Sequence, residues 1–135
     1  MTTLLTGAVL AFAMQAGGLA PLEFADVATA SDGTAYAIDK TAIKQITRSG
    51  FPVRSASVRV TYSASANAEF EQAVRHYYVR CGESTAGLAS SINTERGTKR
   101  LSMDRTRIAD IVYHPFDALP PAEKATMATI CALDL

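Results

Sequence analysis

The stretch "AVRHYYVRCGESTAG" (residues 73–87) packs two tyrosines, two arginines, a histidine and a cysteine into fifteen positions. Read as a strand over about 71–81, it projects successive side chains to opposite faces. Arg75, Tyr77, Val79 and Cys81 then share one face, and Val74, His76, Tyr78 and Arg80 share the other. The face with Tyr77, Val79 and Cys81 is the more apolar, so Cys81 is predicted to point inward and His76 outward. A thiol and an imidazole on opposite faces do not meet, which disfavours a Cys–His catalytic pair.

The rest of the chain reads mostly as short strands parted by turn residues. "FADVATA" (24–30) runs into Ser31, Asp32 and Gly33, then into "TAYAID" (34–39). "DKTAIKQI" (39–46) predicts one helical turn capped by Asp39. In "SASVRVTYS" (55–63), Ala56, Val58, Val60 and Tyr62 alternate with Ser57, Arg59 and Thr61. Ala86, Leu88, Ser90 and Ile92 mark another strand, and "TERGTK" (94–99) a hairpin turn into "RLSMD" (100–104). "RIADIVYHP" (107–115) reads as a last strand stopped by Pro115. "PPAEKATMATICAL" (120–133) has helix chemistry, with proline in the first turn and Met127, Ile130 and Cys131 on one side. The predicted fold is α+β: an antiparallel sheet of about six strands, packed by one C-terminal helix.

At 135 residues with 48% hydrophobic and 19% charged side chains, the chain suits one folded domain. A net charge of zero gives no reason to expect nucleic acid as a partner. The charges are nevertheless unevenly spread. Residues 40–107 hold twelve of the thirteen Lys and Arg against five acids, while residues 1–39 hold four acids and no base.

"MTTLLTGAVLAFAMQAGGLA" (1–20) contains no charged side chain, and its apolar run at 4–14 fits the core of a secretory signal. The run is too short to span a bilayer, which takes roughly 20 residues. Small residues follow it, so the reading is a signal peptide over 1–20, cut between about Met14 and Leu22, then a single domain over 21–135. A buried N-terminal helix is the other possibility. Export implies a periplasmic or secreted protein with no membrane span after cleavage.

Two cysteines in an exported chain are most economically one disulfide, Cys81 to Cys131. Two unpaired buried thiols would be the other arrangement. A structural zinc site wants four closely spaced Cys or His ligands, and two scattered residues of each kind do not supply them; no metal or cofactor is expected. The serines sit in no glycine-flanked nucleophile elbow. "GESTAG" (82–87) lacks the lysine of a phosphate-binding loop. Glu69 and Glu71 share a strand face but at an exposed strand start. No set of nucleophile, base and oxyanion donor assembles, so no catalytic residue is predicted.

The quoted pieces, in their order, resemble the surface-adhesin protein E family of Gram-negative envelope proteins. The resemblance covers about residues 22–133. It is carried by "DGTAYAID" (32–39), by "SASVRVTYS" after an "RSG" turn, by "YYVRCGES" (77–84), and by "HPFDALPPAEKATMATICAL" (114–133). It implies an antiparallel sheet packed by a helix, a disulfide, export, and adhesion to host extracellular-matrix proteins. The chain departs from the family in having Tyr113 where a tryptophan is frequent, and in having no lipid-anchoring cysteine.

The expected function is a non-enzymatic envelope or secreted binding module, adhesin-like towards an extracellular-matrix protein or sulfated polysaccharide. The alternative is a periplasmic structural or small-ligand-binding protein. The predicted binding residues are Arg59, His76, Tyr78 and Arg80, on outward strand positions that form one basic, aromatic patch if the strands adjoin, because exposed Arg and Tyr are frequent interface anchors.

Overall fold

The computed structural model describes residues 23–135; the predicted signal peptide lies outside the described residues. Eight strands form one antiparallel sheet: β1 (Phe24–Thr29), β2 (Ala35–Asp39), β3 (Lys44–Arg48), β4 (Phe51–Thr61), β5 (Phe70–Arg80), β6 (Thr85–Glu95), β7 (Leu101–Arg105) and β8 (His114–Pro115). One helix, α1 (Pro121–Ala132), closes the chain. The order across the sheet is β1-β2-β4-β5-β6-β7. β3 shares the β2 side of β4, and β8 shares the β7 side of β6. Eight strands therefore replace the expected six.

Local signals mislead at two places, β3 and the segment that ends in β8. Asp39 does cap a turn, but not a helix: its Oδ1 accepts from the Thr41 N–H at 3.0 Å and the Thr41 hydroxyl at 2.6 Å. The chain then turns into β3, which forms a hairpin with the start of β4. The two-residue loop is Ser49-Gly50, both at positive φ (52° and 82°), which suits the twist of paired strands. Residues 107–115 form no long strand. Asp110 closes a turn on Arg107 (N–H to carbonyl 2.8 Å, carboxylate to Nε 3.0 Å), and only His114–Pro115 pair with β6.

α1 lies against the β1–β5 part of one sheet face. It buries Ala122, Thr126, Met127 and Ile130 against Tyr36, Ile38, Ala56, Val58, Val60, Tyr77 and Val79. The alternation read from the sequence holds on β4 and β5. Met127, Ile130, Val58, Val60 and Val79 are each fully buried. Prolines 120 and 121 start the helix at positions whose N–H groups have no helical acceptor. Its C-terminal carbonyls are met by Arg54, whose Nη1 donates to Ile130 O and Leu133 O, both at 2.7 Å. A cation there also opposes the helix dipole. Cys81, at the turn directly after β5, is bonded to Cys131, with Cα atoms 5.6 Å apart.

The opposite face has its own small core. The segment after β7 folds back over it and lays Ile111 and Tyr113 against Val53, Tyr78 and Ala89. This strap crosses β6 at Gly87. A Cβ there would overlap Ile111 Cγ2 and sit 3.1 Å from Val112 O, so only glycine allows the strap so close.

Candidate functional site

The strapped face carries the predicted binding residues. The register sets Ser57 opposite His76, Ser55 opposite Tyr78, and Arg59 opposite Val74. All four predicted residues lie on this one face, yet they do not form one exposed patch. Tyr78 is only 8% exposed and belongs to the small core. The Arg80 guanidinium is stacked between the rings of Tyr113 (3.7 Å) and Phe51 (4.2 Å), with Glu83 at 3.7 Å, leaving its side chain 17% exposed. Arg59 lies over the Phe24 ring at 5.0 Å and pairs with Asp26 at 4.0 Å. Val74, opposite Arg59, is six residues before Arg80, or roughly 20 Å along the strand. The two arginines thus serve opposite ends of the face.

Between them His76 and Tyr78 open onto a cleft of about 270 Å³, also lined by Ser90, Arg105, Thr106 and Ile108. His76 Nε2 is 2.8 Å from Ser55 Oγ, and its ring meets Tyr78 edge-on at 5.3 Å. Arg48, from β3, stands over the Tyr78 ring at 5.4 Å, its Nε 3.4 Å from the phenol oxygen. Burial, and then the charge of Arg48, hold the imidazole below its usual pKa of 6.5. The ring is therefore neutral at pH 7.

The charges beside this cleft are unbalanced. Arg59, Arg80, Arg100 and Arg107 each stand within 4.0 Å of a carboxylate. Arg54 and Arg96 are spent on main-chain carbonyls. Among the described residues, Arg48, Arg75 and Arg105 have no carboxylate partner; Arg75 lies on the helix side, and none of the residues lining the cleft is acidic. The Arg105 guanidinium, the Ser90 and Thr106 hydroxyls and the His76 imidazole offer donors to an anion, and the Arg48 charge adds to the field from behind Tyr78.

Ser55 and His76 resemble half of a hydrolytic triad, but the surroundings do not extend it. Ser55 sits mid-strand, paired with Lys44 on one side and Tyr78 on the other, so the main chain there is committed to the sheet. Oxyanion stabilisation requires free, convergent donors. Among the described residues no group of three His, Cys, Asp or Glu could hold a metal ion. No helix among them is long and apolar enough to cross a membrane.

A second polar cluster, on the helix side, is internally satisfied. Arg75 donates to Tyr62 Oη (2.9 Å) and Tyr77 Oη (3.1 Å), and Tyr77 donates to Glu123 Oε2 (3.1 Å) on α1. Burial pushes the Tyr77 phenol well above its usual range. This network ties the sheet to the first turns of the helix.

Sequence reasoning missed Arg48 and Arg105. Arg48 lay in a segment read as a turn, and Arg105 one residue past a predicted short strand. Both are contributed by peripheral strands whose pairing only the fold reveals. No protein-family model, curated protein or solved structure matches the chain.

Proposed function

We propose that this chain is an exported, non-enzymatic binding module that holds an anionic partner on the strapped face of its sheet. The partner class is a sulfated polysaccharide or an acidic segment of an extracellular-matrix protein, in line with the resemblance to the protein E family. The carrying observation is a cleft with no acidic lining residue, bordered by Arg105 and floored by His76 and Tyr78, with Arg48 stacked on Tyr78 behind it; neither arginine has a carboxylate partner. A small-ligand role has less support: about 270 Å³ falls below the usual 300–1,000 Å³ of pockets that engulf a ligand. A polymer placing one charged group at a time into the cleft fits better.

Binding to immobilised heparin, vitronectin and laminin tests the reading. Arg48→Ala/Arg105→Ala should weaken it by about 2 kcal/mol, roughly 30-fold, as two exposed ion pairs of up to about 1 kcal/mol each are lost. The wild-type signal should also fall with salt, since exposed charges are screened over about 8–10 Å. An anion beside His76 favours the imidazolium, so binding takes up a proton and tightens as pH falls from 7.5 to 5.5. His76→Gln should flatten that dependence. Stability moves the other way. A histidine pKa depressed on folding contributes stability above the unfolded value of 6.5, and that contribution is lost as pH falls through the folded value. Equal binding by wild type and the double variant would remove the cleft from the account.

Export is supported by the disulfide, since such bonds persist in oxidising compartments. N-terminal sequencing of protein from envelope extracts should find the mature start between Met14 and Leu22. Intact Met1 on protein from the cytoplasmic fraction would refute export.

A further inference from the structure

The two edges of the sheet are treated differently. β1 carries an irregularity between Asp26 and Ala28, and α1 packs against it; bulges and covering helices are ways of blocking an edge. β7 has neither. All five of its residues are exposed, Leu101 at 69% and Met103 at 56%, and Met103 stands opposite the half-exposed Ile92. Among the described residues no strand pairs with its outer side. The chain turns away at Thr106, whose N–H donates to Ala89 O.

The hydrogen-bond phase of this edge follows from its inner side. Glu95 N–H donates to Arg100 O at 2.8 Å, and Ser102 and Asp104 face Asn93 and Ser91. In an antiparallel ladder, bonded and non-bonded pairs alternate. Ser102 and Asp104 therefore spend their main-chain groups on β6, while Leu101, Met103 and Arg105 direct theirs outward.

We infer that a second copy of this chain occupies the edge, β7 pairing antiparallel with its own counterpart about a two-fold axis at Ser102. In that register Leu101 lies opposite Met103 of the other copy, twice, with the outward main-chain groups of both residues bonded. The apolar stripe Ile92–Met103 of each copy then continues onto Leu101 of the other. On the opposite face Arg100 comes opposite Asp104, again twice, so each acid gains a cation and Arg100 bridges it to Glu95. The sequence R-L-S-M-D (100–104) is thus complementary to itself in both charge and apolar character. Opposite charges and apolar groups directly across strands are the pairs that stabilise sheets. Arg105 belongs both to this edge and to the cleft, but the pairs that carry the inference, Leu101–Met103 and Arg100–Asp104, include no cleft residue, so the two readings are tested by different variants.

Sedimentation equilibrium over micromolar to millimolar concentrations reads the result. The wild type should dimerise. Leu101→Lys and Asp104→Arg should each raise the dissociation constant about tenfold or more, and Arg100→Asp/Asp104→Arg, which swaps the charges, should restore it. Ser102→Cys should form an intermolecular disulfide under air, because residues facing each other across a non-bonded pair lie about 5 Å apart at Cβ. All these positions are exposed, and an unchanged circular dichroism spectrum will show that each variant folds. A wild type that stays monomeric throughout overturns the inference and leaves the edge to a strand of another protein. A dimer indifferent to Leu101→Lys and Asp104→Arg overturns it as well.

Discussion

Cys131→Ser should lower the stability of the domain by about 4 kcal/mol, the chain-entropy value for a bridge with a sequence separation of 50. Small domains are stable by only about 5–15 kcal/mol, so this is a large share. The bond joins the end of β5 to the last turn of α1, and the helix has few other fastenings there. Met127 and Ile130 are fully buried beneath it, and Arg54 holds two carbonyls at its C-terminus. Without the bond the folded helix keeps those contacts, but the unfolded chain gains the freedom that the cross-link had removed. Guanidinium unfolding monitored by circular dichroism measures the difference. The Cys81→Ser/Cys131→Ser variant should match the single variant to within the effect of one half-buried hydroxyl. A change under about 1 kcal/mol would mean that the helix is held by packing alone.

Tyr78→Ala is the second large effect, about 3–5 kcal/mol, the range for deleting a buried aromatic ring. Tyr78 is 8% exposed, packs with Val53, Ala89 and Ile111, and supports the Arg48 guanidinium. Its removal empties the small core beneath the strap. Tyr78→Phe keeps the ring and loses only the hydroxyl, which has one long contact, at 3.4 Å to Arg48 Nε. It should cost less than about 1 kcal/mol. Thermal unfolding of the two variants separates the roles. If Tyr78→Ala is as stable as wild type, the strap is not packed on the sheet and the cleft has no floor.

That second core is also where the sequence is least legible. The alternation over 71–81 correctly divides Tyr77, Val79 and Cys81 from His76, Tyr78 and Arg80, because a two-residue period is local and needs no knowledge of neighbours. The helix is legible for the same reason: prolines at its start, and apolar residues spaced to one side. What a local pattern cannot convey is that a face with serines, a histidine and arginines is partly roofed. Residues 107–115 alternate well enough to look like a strand, but the Arg107–Asp110 pair closes a turn that sends Ile111 down onto Gly87. Tyr78 and Arg80 were expected in solvent and are instead packed under Ile111 and Tyr113. The same folding back creates the cleft. Arg105 borders it from β7 and Arg48 backs its Tyr78 floor from β3, and nothing in either segment taken alone points to the other.

The most direct test of the account is an amide NMR titration of the mature domain with a heparin-derived octasaccharide. Saturable shifts are expected at His76, Tyr78, Ser90, Arg105 and Thr106, with α1 (Pro121–Ala132) unmoved. Shifts gathered on the helix side of the sheet, or none at all, would contradict it.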